Sequence, residues 1–201
     1  MRVGVLASGE GTNLQALLDR VHGREGVDVV AVASDKRDAR ALERARAAGV
    51  SARAFEEPDR GARDAAIGDW LEELGVELVV LAGYMRLVSP GFLDRFPDRV
   101  INVHPALLPS FPGIGAVERA LAHGAKVFGV TVPFVDAGVD TGPIIAQRAL
   151  GATDLADAAE LRAALRPLEH DLLCEVVGLI ARRAVAVEGG RCIVRADDPA
   201  G

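Results

Sequence analysis

The chain has 201 residues, half of them apolar, and a formal net charge of −6, which suits one sizeable core and argues against nucleic-acid binding through bulk charge. Its longest strongly apolar run, VELVVLAG, is far too short to span a membrane, and the glycine-rich N-terminus lacks the pattern of a signal peptide. Two cysteines without metal-ligand spacing predict no zinc site and no disulfide framework, so we expect a cytoplasmic protein that needs no metal.

Strands and helices are predicted to alternate through the first half of the chain. The apolar runs that we interpret as strands cover residues 2–7, 27–34, 51–56, 76–83 and 99–105. The segments between them have helical spacing or helix-start signals, and they cover residues 14–23, 38–49, 59–75 and 89–96. Nearly continuous apolar strands that alternate with helices are typical of a parallel sheet covered on both faces. The sequence therefore predicts an α/β fold with a doubly wound, mostly parallel sheet and right-handed connections.

The pattern changes in the second half of the chain. Residues 125–136 and 142–150 are predicted as two strands with no helix between them, which should add antiparallel or mixed pairing at one side of the sheet. Residues 154–185 are predicted to be largely helical, and Pro167 should kink or split that helix. A Gly-Gly pair between two short apolar runs predicts a hairpin over residues 184–195. Because no repeat or linker interrupts the chain, we expect a single domain.

The segment SGEGTN follows the first predicted strand and opens the first helix. Free backbone N–H groups and the helix dipole at such a position favour an anion. Gly9 and Gly11 would let the backbone approach a phosphate, and Thr12 and Asn13 add side-chain donors. The segment lacks the third glycine of the dinucleotide fingerprint and the Gly-Lys-Ser/Thr ending of a P-loop. A phosphate site and a plain strand-to-helix turn with an Asn cap therefore stay equally open.

Asn102 and His104 interrupt an apolar run at the end of the fifth predicted strand, directly before a proline. Ligands of open α/β sheets bind at the carboxyl ends of strands, and residues two apart share a face while the strand stays regular. An imidazole exchanges a proton near neutral pH, and an amide can donate to a developing oxyanion. The competing interpretation is structural, with His104 bonded to a backbone carbonyl, and it is the commoner one for a lone histidine.

The loop DAGVDTGP lies between the two predicted strands of the second half and contains Asp136 and Asp140. A carboxylate near His104 would favour the imidazolium. Aspartate in such a loop also suits an Asx turn, in which its side chain bonds the backbone nearby. We expect one of the two carboxylates to have only this turn role.

Four motifs in this order resemble one family of folate-dependent transferases. SGEGTNLQALL, LAGYMRLVSPGFL, INVHPALLPSFPG and GVDTGPIIAQ are similar to segments of the phosphoribosylglycinamide formyltransferases of purine synthesis. The resemblance covers residues 1 to about 185. It implies a formyltransferase-like Rossmann-type fold, with 10-formyltetrahydrofolate as co-substrate and 5-phosphoribosylglycinamide as acceptor. It also implies a phosphate-binding half, residues 1–100, and a half for catalysis and folate binding, residues 101–201.

The resemblance implies roles for individual residues. Asn102, His104 and Asp140 match the family's catalytic trio, which would stabilise an oxyanion and deliver a proton during direct attack by the amine. The residues that match the ribonucleotide site are Gly11, Thr12, Asn13 and Glu169.

The folate site is also implied by the resemblance. The residues that match it are Arg60, Met85, Arg86, Leu87, Val88 and Asn102. Arg63 is close enough to Arg60 in the sequence to leave that choice open. For Leu87 and Val88, packing in the core is a serious competing interpretation.

Three positions depart from the family pattern. Family members usually carry histidines in the loop after Pro-Gly, where this chain has Gly115 and Val117, and on the following strand, where it has Pro133. Proline removes a donor from a strand ladder, so Pro133 predicts an edge or a bulge. The departures leave the Asn-His-Asp trio intact, and a catalytically disabled relative that only binds folate or nucleotide stays open.

Other activities remain as alternatives. A methionyl-tRNA formyltransferase should need a further nucleic-acid-binding domain, for which 201 residues leave no room, and a formyl-folate hydrolase usually has an extra N-terminal domain. An amino-sugar formyltransferase should not need the SGEGTN segment. A dinucleotide oxidoreductase is disfavoured by the absent third glycine, although Asp35 after the second strand is the acid such a fold requires. We expect small-molecule substrates and no nucleic-acid or membrane partner, and the oligomeric state stays open, a homodimer included.

Overall fold

The computed structural model describes residues 1–151 and 157–195. It divides into two compact units, the first spanning Met1–Asn102 and the second starting at Val103. The boundary lies close to the predicted division between the two halves, and the single-domain organisation stays a prediction. Among the described residues, no helix is both long enough and apolar enough to cross a membrane.

The first unit alternates strands and helices, as predicted. Its strands are β1 (Arg2–Leu6), β2 (Asp28–Ser34), β3 (Ser51–Ala54), β4 (Leu78–Leu81) and β5 (Val100–Asn102). Its helices are α1 (Thr12–Arg20), α2 (Arg40–Ala47), α3 (Arg60–Glu73) and α4 (Pro90–Arg95). Asp59 and Ser89 cap α3 and α4 by accepting a backbone N–H from the first turn, so local chemistry fixes where these helices begin.

The five strands are parallel and lie in the order β3-β2-β1-β4-β5. The chain builds outward through β2 and β3 and then returns to add β4 and β5 on the other side of β1. Because such crossovers are right-handed, α1 and α2 cover one face and α3 and α4 the other. The predicted doubly wound parallel sheet is confirmed. Ligands of such sheets bind where the order reverses, which here is beyond the carboxyl ends of β1 and β4.

The strands supply the core of the first unit. Val3, Val5, Leu78 and Ile101 have no exposed surface. The helices add fully buried side chains from their inner faces, namely Leu14, Leu17, Leu42, Ile67 and Leu71. Burying one such side chain stabilises the fold by about 1.5–3 kcal/mol. The apolar faces of the elements therefore fix the strand ends, from which the polar loops emerge.

The second unit contains elements that alternate less regularly. They are α5 (Ala116–Ala122), β6 (Val127–Pro133), β7 (Ile144–Gly151), α6 (Ala158–Ala181), β8 (Val185–Glu188) and β9 (Arg191–Val194). No sequence signal predicted α5, which is short and begins after Gly115 in the left-handed conformation. The predicted hairpin is confirmed, because β8 and β9 pair across Gly189 and Gly190, both with positive φ.

Strands β6 and β7 pair in antiparallel register with no helix between them, as predicted. They form a two-stranded sheet of their own, which corrects the expectation that they extend the parallel sheet. The reason is that the β5 ladder stops at Asn102, and the bridge between His104 and Thr131 is isolated. The β6–β7 register shifts between Val132 and Pro133, so Pro133 lies at a bulge, as its missing N–H predicts.

Helix α6 continues through Pro167, so the expected split is wrong. Proline cannot donate to the carbonyl four residues earlier, and it costs about 3 kcal/mol in a helix interior. Buried side chains on both sides of it hold the helix together, namely Leu161, Leu165, Leu172 and Leu173. Packing therefore outweighs the lost hydrogen bond. The predicted start of this helix at residues 154–156 lies outside the described residues.

Replacing Pro167 by alanine should stabilise the protein. Pro167 is exposed, so alanine restores one backbone donor without disturbing the core. We expect urea denaturation to show a free energy of unfolding higher by about 1–3 kcal/mol. The control is Arg166→Ala at the exposed neighbouring position, which should stay within about 0.5 kcal/mol of the original chain. A Pro167→Ala protein no more stable than this control would contradict the prediction.

Candidate active site

The SGEGTN turn is held by helix α2. The Ala41 amide donates to the Gly9 carbonyl at 3.0 Å, and Arg44 Nε donates to the Glu10 carbonyl at 2.8 Å. Gly11 has a φ of 69°, and a Cβ built there would lie 2.8 Å from Ala41. Only glycine therefore fits between the turn and α2, and the turn is rigid.

Gly11 is also the N-cap of α1, so no side chain caps the first turn of this helix. The alternative of an Asn cap is wrong, because Thr12 and Asn13 lie inside the first turn and Asn13 is buried. A helix start of this kind presents backbone donors and the positive end of the dipole. Such a start can hold an anion, and the phosphate site stays a prediction.

Residues 83–88, which follow β4, form a loop that is held at several points. The Ser8 hydroxyl accepts from the Met85 amide at 2.8 Å. Two arginines of α3 donate to the carbonyls of Leu87 and Val88. The side chains of Met85 and Leu87 nevertheless stay 55% and 58% exposed. The loop is thus a fixed support that presents two apolar side chains, an arrangement that suits a flat ring.

The two arginine candidates on α3 differ in exposure. Arg63 is buried and pairs with the buried Asp64 at 3.0 Å, whose other oxygen accepts from the Ser89 amide at 2.6 Å. Arg60 is exposed at the start of α3 and donates to the Val88 carbonyl. Arg63 therefore has a structural role inside the first unit, and Arg60 is the arginine that a ligand can reach. Val88 is itself buried, as the core-packing interpretation expects.

Arg86, in the middle of the loop, pairs with Asp35 at the end of β2. Arg86 Nε donates to Asp35 Oδ2 at 2.9 Å. The acid that a dinucleotide-binding sheet would offer to a ribose is buried here and already bonded, which disfavours the oxidoreductase alternative. Burial raises the pKa of the adjacent Tyr84 to about 12, so its phenol is neutral at physiological pH.

His104 lies beyond the regular part of β5. It exchanges backbone hydrogen bonds with Thr131 at 2.8 and 2.9 Å. The β5 ladder ends at Asn102, opposite Leu81, so His104 lies beyond the regular strand. The prediction that Asn102 and His104 share one strand face requires a regular strand and therefore loses its basis. The backbone of His104 is fixed by β6 instead.

Both ring nitrogens of His104 face oxygen acceptors. Nδ1 lies 3.2 Å from Asp140 Oδ2, and Nε2 lies 2.9 Å from the Phe111 carbonyl oxygen. A neutral imidazole has one N–H and can donate in one of these contacts, whereas an imidazolium can donate in both. The structure therefore brings His104 and Asp140 together, with the His104 side chain only 6% exposed. Their catalytic role stays a prediction.

The two carboxylates of the loop between β6 and β7 have different partners. Asp136 Oδ1 accepts from the Thr141 hydroxyl at 2.7 Å and from a backbone amide two residues on, which is an Asx turn. Asp140 has a φ of 54° and, besides contacting His104, accepts from the Gly113 amide at 2.6 Å. Non-glycine residues at positive φ are strained and cluster at functional sites. Of the two, Asp140 is therefore the candidate for chemistry.

The sequence patterns did not predict the role of Thr131, which is fully buried on β6. Its hydroxyl donates to the Ala106 carbonyl at 2.6 Å and accepts from the Leu108 amide at 3.0 Å. Gln147, its partner across the ladder, donates to that hydroxyl and to the Leu108 carbonyl, each at 2.9 Å. Together they hold the segment that follows His104. The available signal is weak: a threonine within an apolar strand and a glutamine in the next.

The remaining sequence-predicted positions lie on helices. Glu169 is on α6 and is partly exposed, and its contact with a ribonucleotide stays a prediction. Gly115 is the N-cap of α5 with a φ of 72°, and Val117 is buried in that helix. Where the family usually has histidines, this chain therefore has residues that begin and pack a helix.

The thiols and possible metal ligands show no cluster in the described part of the chain. Cys174 is buried and Cys192 is partly exposed, and no disulfide joins them. Within residues 1–151 and 157–195, no group of three or more His, Cys, Asp or Glu side chains could hold a metal ion.

The first unit is a doubly wound parallel sheet with a glycine turn between its first strand and helix, and the second unit contains a buried histidine–carboxylate pair. A family model described as formyl transferase matches residues 1–177. The chain belongs to this formyl transferase family.

Individual proteins and solved structures of this family are similar to the chain over most of its length. The chain is 45% identical over 191 residues to a phosphoribosylglycinamide formyltransferase of Mycobacterium tuberculosis, a match that covers 94% of this chain and 88% of the relative. It is also similar to the crystal structure of glycinamide ribonucleotide transformylase 1 from Symbiobacterium toebii, with a TM-score of 0.94 and 48% identity, over 98% of this chain and 94% of that one. A formyltetrahydrofolate deformylase from Pseudomonas syringae pv. tomato gives a TM-score of 0.90 with 26% identity, over 97% of this chain and 66% of that one.

Gly11→Ala should weaken the turn after β1. Alanine there would need a positive φ and would place its Cβ 2.8 Å from Ala41. We expect urea denaturation to show a free energy of unfolding lower by about 1–3 kcal/mol. Gly9→Ala is the matched control, because a Cβ at Gly9 meets nothing within 4 Å. Equal losses in the two variants would show that α2 does not hold the turn tightly.

Thr131→Val should destabilise the protein although it keeps the side-chain shape. Valine leaves the Leu108 amide and the Ala106 carbonyl without the hydroxyl that bonds them. We expect the free energy of unfolding to fall by about 2–4 kcal/mol, because each of these two buried backbone groups costs about 1–3 kcal/mol when it is left unpaired. Thr131→Ser keeps the hydroxyl and should lose only about 1 kcal/mol for the missing methyl group. The idea fails if thermal and urea denaturation find the valine variant as stable as the serine variant.

Proposed function

We propose that the chain transfers the formyl group of 10-formyltetrahydrofolate to the amine of 5-phosphoribosylglycinamide in de novo purine biosynthesis. The observation that carries the proposal is the contact of a nearly buried imidazole with a carboxylate, His104 Nδ1 to Asp140 Oδ2 at 3.2 Å. Similarity to a phosphoribosylglycinamide formyltransferase and to a glycinamide ribonucleotide transformylase, over almost the whole chain, supports the same activity.

The proposed reaction is a direct acyl transfer. The amine nitrogen attacks the formyl carbon, whose C=O becomes C–O⁻, and collapse of this species breaks the bond to the folate nitrogen. Asn102 donates its side-chain N–H to the oxyanion, an interaction worth roughly 3–4 kcal/mol in comparable sites. His104 gives its proton to the departing nitrogen and regains one from the attacking amine, so atoms and charges balance.

His104 exchanges one hydrogen-bond partner during this reaction. Its Nε2 now lies against the Phe111 carbonyl at 2.9 Å. A substrate oxygen or the leaving nitrogen takes the place of that carbonyl. Asp140 accepts from the other ring N–H throughout, so the ring keeps its orientation while Nε2–H changes partner. One side chain can thus act first as oxyanion donor and then as general acid.

The ribonucleotide phosphate binds at the turn after β1 in this proposal. The start of α1 offers the backbone N–H groups of Thr12 and Asn13, and Gly11 lets a phosphate come close. The carboxylate of Glu10 lies in the same turn and would repel a phosphate. Arg40 pairs with it at 3.2 Å and offsets that charge. Glu169 contacts the remainder of this substrate.

The folate binds along residues 83–88 in this proposal. The exposed Met85 and Leu87 on their fixed loop fit a flat ring of the folate. Folates end in a glutamate, and the exposed guanidinium groups of Arg60 and Arg86 fit its carboxylates. Val88 contributes through its backbone, since its side chain is buried.

Hydrolysis of formyl-folate is a second candidate function, favoured by the likeness to a formyltetrahydrofolate deformylase. A single assay separates the two activities: 10-formyltetrahydrofolate is supplied with and without 5-phosphoribosylglycinamide, and the folate absorbance is followed. The transferase turns over only with the ribonucleotide, which gains the formyl group. Turnover that ignores the amine would indicate the hydrolase. Binding of both substrates without turnover would indicate a catalytically disabled relative.

His104→Ala and Asp140→Ala should abolish most turnover and leave ribonucleotide binding intact. Each removes part of the acid, so we expect kcat to fall by about 10²–10⁴-fold. The ribonucleotide Kd from calorimetry should change by less than about twofold, because the phosphate binds in the first unit. His22→Ala, a histidine whose Nδ1 accepts from the Val29 amide, is the control and should keep its kcat. A near-normal kcat in purified His104→Ala would contradict the assignment of His104 as the general acid.

A further inference from the structure

Asp35 and Arg86 form an ion pair whose two members differ sharply in exposure. The side chain of Asp35 is 3% exposed and that of Arg86 is 57% exposed. Arg86 Nε donates to Asp35 Oδ2 at 2.9 Å. The other carboxylate oxygen, Oδ1, is buried and has no hydrogen-bond partner within residues 1–151 and 157–195. The buried charge of Asp35 therefore depends on one guanidinium.

This dependence restricts Arg86. An exposed arginine ordinarily samples many rotamers. If Arg86 turned away, Asp35 would become a buried charge without a partner, which is strongly unfavourable. The backbone before it is also fixed, since the Met85 amide donates to the buried Ser8 hydroxyl at 2.8 Å. The exposed guanidinium of Arg86 is thus held in one place by its bond to Asp35 and by the fixed backbone of Met85.

We propose that Asp35 is a positioning residue that fixes the Arg86 guanidinium for the carboxylate end of formyl-folate, an inference that rests on the proposed function. Asp35 occupies Nε, and the two Nη groups of Arg86 make no hydrogen bond to the described part of the chain. These groups can donate to a carboxylate through two parallel N–H bonds. Because the arginine is already ordered, binding loses little side-chain entropy.

Asp35 acts here through the arginine and does not touch the ligand. In a dinucleotide-binding sheet, the acid after the second strand accepts from a ribose. In this chain the same place in the topology receives an arginine from the loop after β4. The acid after β2, which accepts a hydrogen bond from a ribose in dinucleotide-binding sheets, thereby fixes a positively charged group in this chain.

The test uses Asp35→Asn, which keeps the side-chain shape and removes its charge. The KM for 10-formyltetrahydrofolate should rise about fivefold, as expected when a charge-assisted contact becomes neutral. The kcat and the KM for the ribonucleotide should stay within about twofold. Glu56→Gln is the matched control, since it removes one negative charge from an exposed pair with Arg37 in the same unit, and it should change none of these values.

A second substrate separates positioning from a merely structural role. 10-Formyltetrahydropteroate lacks the glutamate, so Asp35→Asn and the original chain should have the same KM for it. A structural role would instead raise the KM for both folates and for the ribonucleotide, and would lower the melting temperature. That result, or an unchanged KM for 10-formyltetrahydrofolate in Asp35→Asn, would overturn the proposal.

Calorimetry with 5-formyltetrahydrofolate distinguishes failure of this inference from failure of the proposed function. If the original chain transfers no formyl group but binds this folate, and Asp35→Asn binds it about fivefold more weakly, only the proposed function fails. If the chain transfers the group and both proteins bind the folate equally, only the role of Asp35 fails. A chain that binds no folate contradicts both.

Discussion

The pairing of His104 with Asp140 is the interaction on which the proposed chemistry depends, and several weaker constraints must be met for it to form. Asp140 adopts a φ of 54°, close to the Asx turn of Asp136, whose carboxylate also accepts from the Thr141 hydroxyl. The same carboxylate accepts from the Gly113 amide at 2.6 Å, so a loop and an imidazole share one charged acceptor. Charge-assisted hydrogen bonds in a nearly buried place are strong enough to offset such backbone strain. Both contacts therefore fix the position of the same oxygen, Asp140 Oδ2.

Buried hydroxyl groups serve a common purpose in the two units. A buried threonine or serine is costly unless its hydroxyl is bonded. Thr131 bonds the backbone just after His104, and Ser8 bonds the Met85 amide. In each unit a short polar side chain at a strand thus fixes the backbone of a loop. Fully satisfied polar networks of this kind make a structure rigid, and rigid loops hold ligand-facing side chains in place before binding.

Much of the fold and part of the site follow from local signals. The apolar runs predict the parallel strands, and Asp59 and Ser89 mark the starts of α3 and α4. The separate β6–β7 sheet could not be predicted, because its pairing depends on where β5 stops. Pro167 was misleading since packing of residues distant in sequence decides whether a helix survives a proline. The network of Thr131 and the arginine partner of Asp35 were equally invisible, because neither residue type indicates which distant group it will meet.

The positions at which this chain departs from its family suggest how the proposed chemistry tolerates the loss of histidines. Gly115 begins α5 at a φ of 72°, where histidine would be strained. Val117 is buried in that helix, and Pro133 lies where the β6–β7 register shifts. Gly115 therefore suits its backbone better than a histidine would, and Pro133 fits a bulge because it has no N–H to donate. In the proposed reaction, proton transfer then rests on His104 alone, with its carboxylate at Nδ1 and its backbone bonded to β6. These contacts come from within the second unit and involve none of the three positions. His104 can therefore keep its partners although the residues at the three positions differ from those of the family.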